Sequence, residues 1–331
     1  MIISRTPFRV SLFGGGSDFP KWYLQHGGAV LGFAINKYCY ITLRPLPPFF
    51  EHRHRIAYSR VEAVKTFDEI QHPSVRNTLQ HLGIDYGVEI HHDGDLPARS
   101  GLGSSSAFTV GLVNALQAQA GKMISKMELA RTAIHIEQNV IKESVGSQDQ
   151  VWAAFGGFNR IDFYQTGEFE VTSLIIEPHR RKELFDHLML FFSGFARYAT
   201  EIEQSKIANL DKKAANIARL VQLVGEAQTI LGDEKRPLGE IGRMLHDGWL
   251  LKRELDKSVS NSDLDGIYDA ARKAGAVGGK LLGAGGGGFM LFFVDPDKHQ
   301  AVREALRGLI EVQIGVDQSG SKIVLYEPDG L

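Results

Sequence analysis

The sequence holds one cysteine, Cys39, among 331 residues. That excludes an intrachain disulfide framework and a cysteine-rich zinc site. Charge of one sign is lacking too: Lys+Arg is 37 and Asp+Glu is 39, a net of −2 with histidine neutral. Such balance offers no electrostatic footprint for nucleic acid or an anionic membrane. Tryptophan is scarce, at three residues, and no basic stripe interleaves them, which argues against a base-stacking platform. Long apolar runs are missing. The longest charge-free stretch, residues 100–121, is threaded with Gly, Ser, Asn and Gln, and 281–294 is too short to cross a bilayer. Residues 1–16 show no apolar run followed by a small-residue cleavage site, so they are expected to begin the folded protein. These absences lead to the expectation of a cytoplasmic protein with neither nucleic acid nor membrane as partner.

What is present supports a folded protein. The hydrophobic fraction is 43% and the charged fraction 23%, enough for a sizeable core. The length suggests two domains. Strand patterns fall at 2–12, 28–45, 86–92, 188–192, 289–294 and 322–326. Helical patterns fall at 74–82, 107–120, 126–144, 265–276, 298–310 and most of 200–257, with a break at 232–237. Ser147 and Gln150 fit a capping box that opens a further helix. Strands and helices mix in both halves, and a boundary is expected between 1–185 and 186–331.

Glycine is the one excess, at 36 residues, and it gathers in three runs. Gly101-Leu102-Gly103-Ser104-Ser105-Ser106 stands directly before a helix. Its glycines let backbone approach a ligand, and free amides at the helix start favour a phosphate. The bland alternative is a tight turn with a serine cap. Gly283-Ala284-Gly285-Gly286-Gly287-Gly288 contains G-x-G-x-x-G, but a strand follows it where a dinucleotide site needs a helix. It reads as a crossover, or as backbone laid against another loop or a substrate. Gly14-Gly15-Gly16-Ser17-Asp18 ends a buried strand, and Asp18 is placed to accept hydrogen bonds from sugar hydroxyls. No G-x-x-x-x-G-K-[ST] and no H-E-x-x-H occurs. The paired histidines His52, His54, His91 and His92 read as loop and strand-end residues.

Taken together, Thr6-Pro7-Phe8-Arg9 through Asp18, Pro97-Ala98-Arg99-Ser100 through Ala107, and Lys280-Leu281-Leu282 through Phe289 resemble the three motifs of the GHMP kinases. That superfamily comprises galactokinase, homoserine kinase, mevalonate kinase and phosphomevalonate kinase. The likeness covers essentially the whole chain. Gly14 to Pro20, Phe192 to Arg197 and Gly278 to Gly288 are similar to the sugar-kinase branch that acts on heptose 7-phosphate. L-fucose kinases share much of the pattern, whereas galactokinases carry Glu-His in place of Gly15-Gly16.

The resemblance implies an α+β fold of two domains, the N-terminal one like ribosomal protein S5 and the C-terminal one ferredoxin-like. It implies ATP and Mg²⁺ as cofactors and a small sugar phosphate as partner, and it leaves monomer and homo-oligomer open. The nucleotide would lie on Pro97, Gly101, Leu102, Gly103, Ser104, Ser105 and Ser106. The metal would be held by Glu137 and Ser105, with Ser104 the second choice. Asp149, 12 positions after Glu137, would take the proton of the acceptor hydroxyl, with Arg9 beside it. Substrate would meet Gly15, Gly16, Ser17, Asp18, Gly285 and Gly286, with Arg197 and Lys280 as candidates for a substrate phosphate. The implied reaction is phosphorylation of the anomeric hydroxyl of heptose 7-phosphate, or of L-fucose or a related hexose. A silent sugar- and ATP-binding sensor is the alternative of another class. It predicts loss of Asp149, Glu137 or Arg9, and all three are present.

Overall fold

The computed structural model describes residues 1–194, 204–205, 207 and 210–329. Strand β1 (Ile2–Phe13) leads into helix α1 (Pro20–His26) and the long strand β2 (Gly28–Pro45). Then follow β3 (His54–Ala57), β4 (Val61–Val64), α2 (Pro73–His81) and β5 (Val88–Gly94). Helices α3 (Ser104–Gln119), α4 (Lys126–His135) and α5 (Gln148–Phe155) come next, then β6 (Phe158–Phe163), β7 (Phe169–Ser173) and α6 (Pro178–Asp186). The remainder is β8 (Leu188–Phe192), α7 (Ala214–Gly232), α8 (Gly239–Arg253), α9 (Ser262–Lys273), β9 (Ala276–Leu281), β10 (Phe289–Val294), α10 (His299–Ala305), β11 (Ile310–Val312) and β12 (Lys322–Tyr326).

Two sheets result. The larger runs β12-β1-β2-β5-β3-β4, with β6 and β7 added along the first half of β2. The smaller runs β11-β8-β10-β9. Helix α3 lies on β1 and β2 and is flanked by α2, α4 and α5, which is why it is apolar on nearly every side. The small sheet is covered on both faces, so its central strands read as unbroken apolar runs. Leu190, Phe289, Leu291 and Phe293 face the main core, while Met189, Phe191, Met290 and Phe292 face a second core with Trp249 and Tyr268. The period of two along a strand sorts them. No helix among the described residues is long and apolar enough to cross a membrane.

Several elements differ from the sequence expectation. The helix drawn over 126–144 is α-helical only to His135 and continues as one π-helical turn, Ile136–Val140. The pattern over 298–310 splits into α10 and the edge strand β11. The division at 185 assigns residues 316–326 to the second unit, yet Val316 bridges Ile35 and β12 pairs with β1. The chain thus returns to the first sheet before it ends. Helical signal over 200–209 falls largely outside the described residues.

Candidate active site

Arg9 joins the parts of the site. The ladder between β1 and β2 slips just after Pro7, which has no amide hydrogen to give it. Such a slip re-aims the residues beyond it. The Arg9 amide donates to the Leu102 carbonyl at 3.0 Å. Its guanidinium grips Asp149 with two prongs, Nε to Oδ1 at 2.7 Å and Nη2 to Oδ2 at 2.6 Å. The remaining nitrogen, Nη1, donates to the Gly101 carbonyl at 2.6 Å. One side chain, 5% exposed, therefore fixes a carboxylate and a glycine loop relative to each other. The planar fork of arginine suits this; the single ammonium of lysine does not.

Asp149 stands in the first turn of α5, where the helix dipole favours an anion. The expected capping box does not form. The Ser147 hydroxyl accepts from Gln138 Nε2 at 3.0 Å and lies 3.4 Å from the Tyr23 hydroxyl, so tertiary partners outcompete the cap. Gln150 also turns away and donates through Nε2 to Glu137. The start of α5 is held from outside instead. The Ser147 amide donates to the Asp18 carbonyl at 2.9 Å, and Ser11 Oγ to Gln148 Oε1 at 2.8 Å. Arg9 and Ser11 share one face of β1, so a single strand addresses Asp149 and Gln148 together.

The loop before α3 is wound on itself. Ser100 Oγ donates to the Pro97 carbonyl at 2.7 Å, and the Arg99 amide donates to Ser104 Oγ at 3.1 Å. Gly101 and Gly103 adopt φ of 85° and 75°, a region that suits glycine. Leu102 is fully buried and anchors the loop. At Gly103 an added Cβ would stand 3.2 Å from Asp149 Oδ2, so the carboxylate lies against the first turn of α3. The amides of residues 104–106 have no acceptor within their own helix. Donors and helix dipole thus meet at one point, which fits a bound polyphosphate, with the Arg9-paired carboxylate alongside.

The third glycine run packs against this loop. An added Cβ at Gly283 would stand 2.4 Å from Gly101 Cα, and one at Gly288 2.3 Å from the Ser100 carbonyl oxygen. The Phe289 amide donates to that same carbonyl at 3.1 Å. Lys252 Nζ closes the turn through the Leu281 and Gly283 carbonyls at 2.8 and 2.6 Å. Gly285 and Gly286, expected at the substrate, instead back onto Val259: the Gly286 amide donates to its carbonyl at 3.0 Å. Strand β9, hidden in the sequence by Gly278 and Gly279, precedes the run. No helix follows, so a dinucleotide fold stays excluded.

The first glycine run is held by its own polar residues. Ser17, expected to face substrate, is fully buried. Its hydroxyl lies 2.8 and 3.0 Å from the Gly14 and Ala29 carbonyls and accepts from the Ala29 amide at 3.1 Å, tying the loop to β2. Gly15 lies near Ser11 Oγ and Gln148 Nε2, and Gly16 near Ile217. Asp18 is 1% exposed, and its carboxylate accepts from the Gly16 amide at 2.9 Å and the Gln148 amide at 3.4 Å. Burial, and then the charge of Asp149, push Asp18 up to about 6, while the amides pull it down. Gly146 leaves no room beside it, since a Cβ there would stand 1.9 Å from Asp18 Oδ2.

Glu137 occupies the π-helical turn and is fully buried. Its Oε2 accepts from Ser106 Oγ at 2.8 Å and from Gln150 Nε2, while Oε1 has no partner. Burial pushes its carboxyl up to about 7; the hydroxyls of Thr109 and Ser106 and the Gln150 amide oppose that, and Glu143 adds to it. An orphaned, buried carboxylate oxygen beside a hydroxyl suits a hard divalent cation. The serine that bonds to Glu137 is Ser106, whereas Ser105, the hydroxyl expected for the metal, is exposed. One residue is about 100° of helix rotation, enough to turn Ser105 outward. Lys280 Nζ reaches the Leu12 carbonyl at 2.8 Å and so links β9 to the end of β1. Arg197 lies outside the described residues. Sequence reasoning overlooked Lys252 and the reach of Gln148 and Gln150, whose partners lie far away in the chain.

A glycine loop with open helix-start amides, an arginine-held aspartate and a buried carboxylate together have the chemistry that phosphoryl transfer calls for. Residues 69–157 match the model of the GHMP kinases N terminal domain and residues 231–311 that of the GHMP kinases C terminal domain. A D-glycero-alpha-D-manno-heptose 7-phosphate kinase of Campylobacter jejuni is 30% identical over 92% of this chain and 93% of its own length. A bifunctional fucokinase/GDP-fucose pyrophosphorylase of Arabidopsis thaliana is 27% identical over 94% of this chain and 31% of its own. The crystal structure of a D-glycero-D-manno-heptose 1-phosphate kinase from Bacteroides thetaiotaomicron superposes with a TM-score of 0.74 at 26% identity, covering 98% of this chain and 99% of that one. The chain belongs to the GHMP kinase family. It is an ATP-dependent phosphotransferase of the sugar-kinase type, with a hydroxyl group as acceptor.

Proposed function

We propose that the enzyme phosphorylates the anomeric C1 hydroxyl of D-glycero-D-manno-heptose 7-phosphate, giving the 1,7-bisphosphate. That product would enter synthesis of nucleotide-activated heptose for a bacterial surface polysaccharide. The observation that carries this reading is the 30% likeness to the Campylobacter heptose 7-phosphate kinase across nearly the full length of both chains. The bifunctional fucokinase relative is less similar, 27% identical over 94% of this chain, which makes L-fucose the second choice.

In this reading the amides of residues 104–106 receive the polyphosphate of ATP. Asp149 accepts the acceptor hydroxyl's proton as the sugar oxygen bonds to the γ-phosphorus and the bond to ADP breaks. Arg9 keeps that carboxylate turned toward α3. Gly15, Gly16 and Asp18 shape the sugar's side of the site. Glu137 and Ser106 would hold Mg²⁺, which when bound offsets charge on the phosphates. A coupled kinase assay across phosphorylated heptoses, free heptoses, L-fucose and galactose tests the reading. The highest kcat/KM is expected for heptose 7-phosphate; a higher value for L-fucose would overturn it.

A further inference from the structure

Gln150 is fully buried, immediately follows Asp149 on α5, and donates its only engaged amide hydrogen-bonding group to Glu137 Oε2. Its own Oε1 is buried without a partner, and so is Glu137 Oε1. Two orphaned acceptor oxygens therefore sit on two side chains that are bonded to each other. A buried acceptor without a donor is costly, and native structures keep few of them. Two together point to a cationic or proton-donating group that completes the cluster. The backbone is arranged to bring them there: the π-helical turn carries Glu137, and α5 gives up the capping role of Gln150.

We propose that Gln150 is a positioning residue for the metal. It orients the Glu137 carboxylate and links it rigidly to the helix that carries Asp149, so that metal and acceptor base are placed by one element. The inference rests on the reading of Glu137 and Ser106 as the metal-holding pair. Partners of metal ligands commonly change metal affinity 10–100-fold when removed.

The test uses Mn²⁺ as a paramagnetic substitute, titrated by electron paramagnetic resonance against the full-length protein with a non-hydrolysable ATP analogue. Gln150→Leu should weaken Mn²⁺ binding by about 10-fold or more while metal-free affinity for the analogue stays within about 2-fold. Gln150→Asn, which keeps the amide on a shorter arm, should fall between Leu and wild type, and it replaces Leu if that variant does not fold. Glu137→Gln separates the two ideas. If it weakens Mn²⁺ and the Gln150 variants do not, the positioning role is wrong. If Glu137→Gln leaves Mn²⁺ binding unchanged, the metal assignment itself is wrong.

Discussion

Residues 101–106 and 283–288 are both glycine-rich, meet face to face, and need their glycines for different reasons. The first run needs them to turn into α3 and leave three amides open beside Asp149. The second needs them to let backbone touch backbone, Gly283 on Gly101 and Gly288 on Ser100. One segment leaves its amides open; the other is the wall that holds it in shape. A glycine run on its own therefore tells close approach but not what is approached.

The sharpest way to separate the open segment from its wall is to disable the chemistry alone. Asp149→Asn should cut kcat by about 100-fold or more, with KM for ATP little changed. Turnover within a few-fold of wild type would remove Asp149 from the mechanism.

A second prediction concerns the carboxylate beneath the open segment. Glu137 is raised from 4.5 to about 7 in the folded chain. The folded state then keeps a proton that the unfolded chain releases between those values. With a chelator present, wild type should lose stability relative to Glu137→Gln as pH rises from 4.5 to 7, by on the order of 2–3 kcal/mol. Chemical denaturation at several pH values measures this. A pH-independent difference would mean that the carboxyl ionises as it does in water.

The wall should respond through stability. Gly283→Ala meets Gly101 Cα at 2.4 Å with φ of 74°, and should cost about 2 kcal/mol and weaken ATP binding. Gly121→Ala has φ of 67° with open space around it, and should cost about 1 kcal/mol with ATP binding unchanged. Equal losses from both would show that strain, not contact, decides the effect. The smallest effect separates neighbouring serines: Ser106→Ala should raise the Mg²⁺ requirement several-fold, and Ser105→Ala should leave it alone. The reverse order would restore Ser105 as the metal's hydroxyl.

Much of this was legible in the sequence, and the rest was hidden for identifiable reasons. Strands such as Phe289–Val294 and the buried helix α3 declare themselves by uninterrupted apolar character. Strand β9 does not, because Gly278 and Gly279 break its pattern while fitting closely against α8 and β10. Helix α1 begins on Pro20 and spans seven residues, too few for a periodic signal. At the site, spacing relates Glu137 to Asp149 but says nothing of rotation about a helix, so the expected choice between Ser105 and Ser104 leaves out Ser106, which bonds to Glu137. Gln150 satisfied a local rule at Ser147, and only the fold shows that a distant carboxylate takes its side chain. Ser17 and Gly285 looked like ligand contacts because residues chosen for tight packing and residues chosen for binding use the same alphabet.

The most direct test of the account is a crystal structure of the protein with a non-hydrolysable ATP analogue, Mg²⁺ and the sugar phosphate. The account predicts the β- and γ-phosphates on the amides of residues 104–106, with an Asp149 oxygen within hydrogen-bond distance of the acceptor hydroxyl. A triphosphate bound elsewhere, or an Asp149 separated from the acceptor by more than one water, would contradict it.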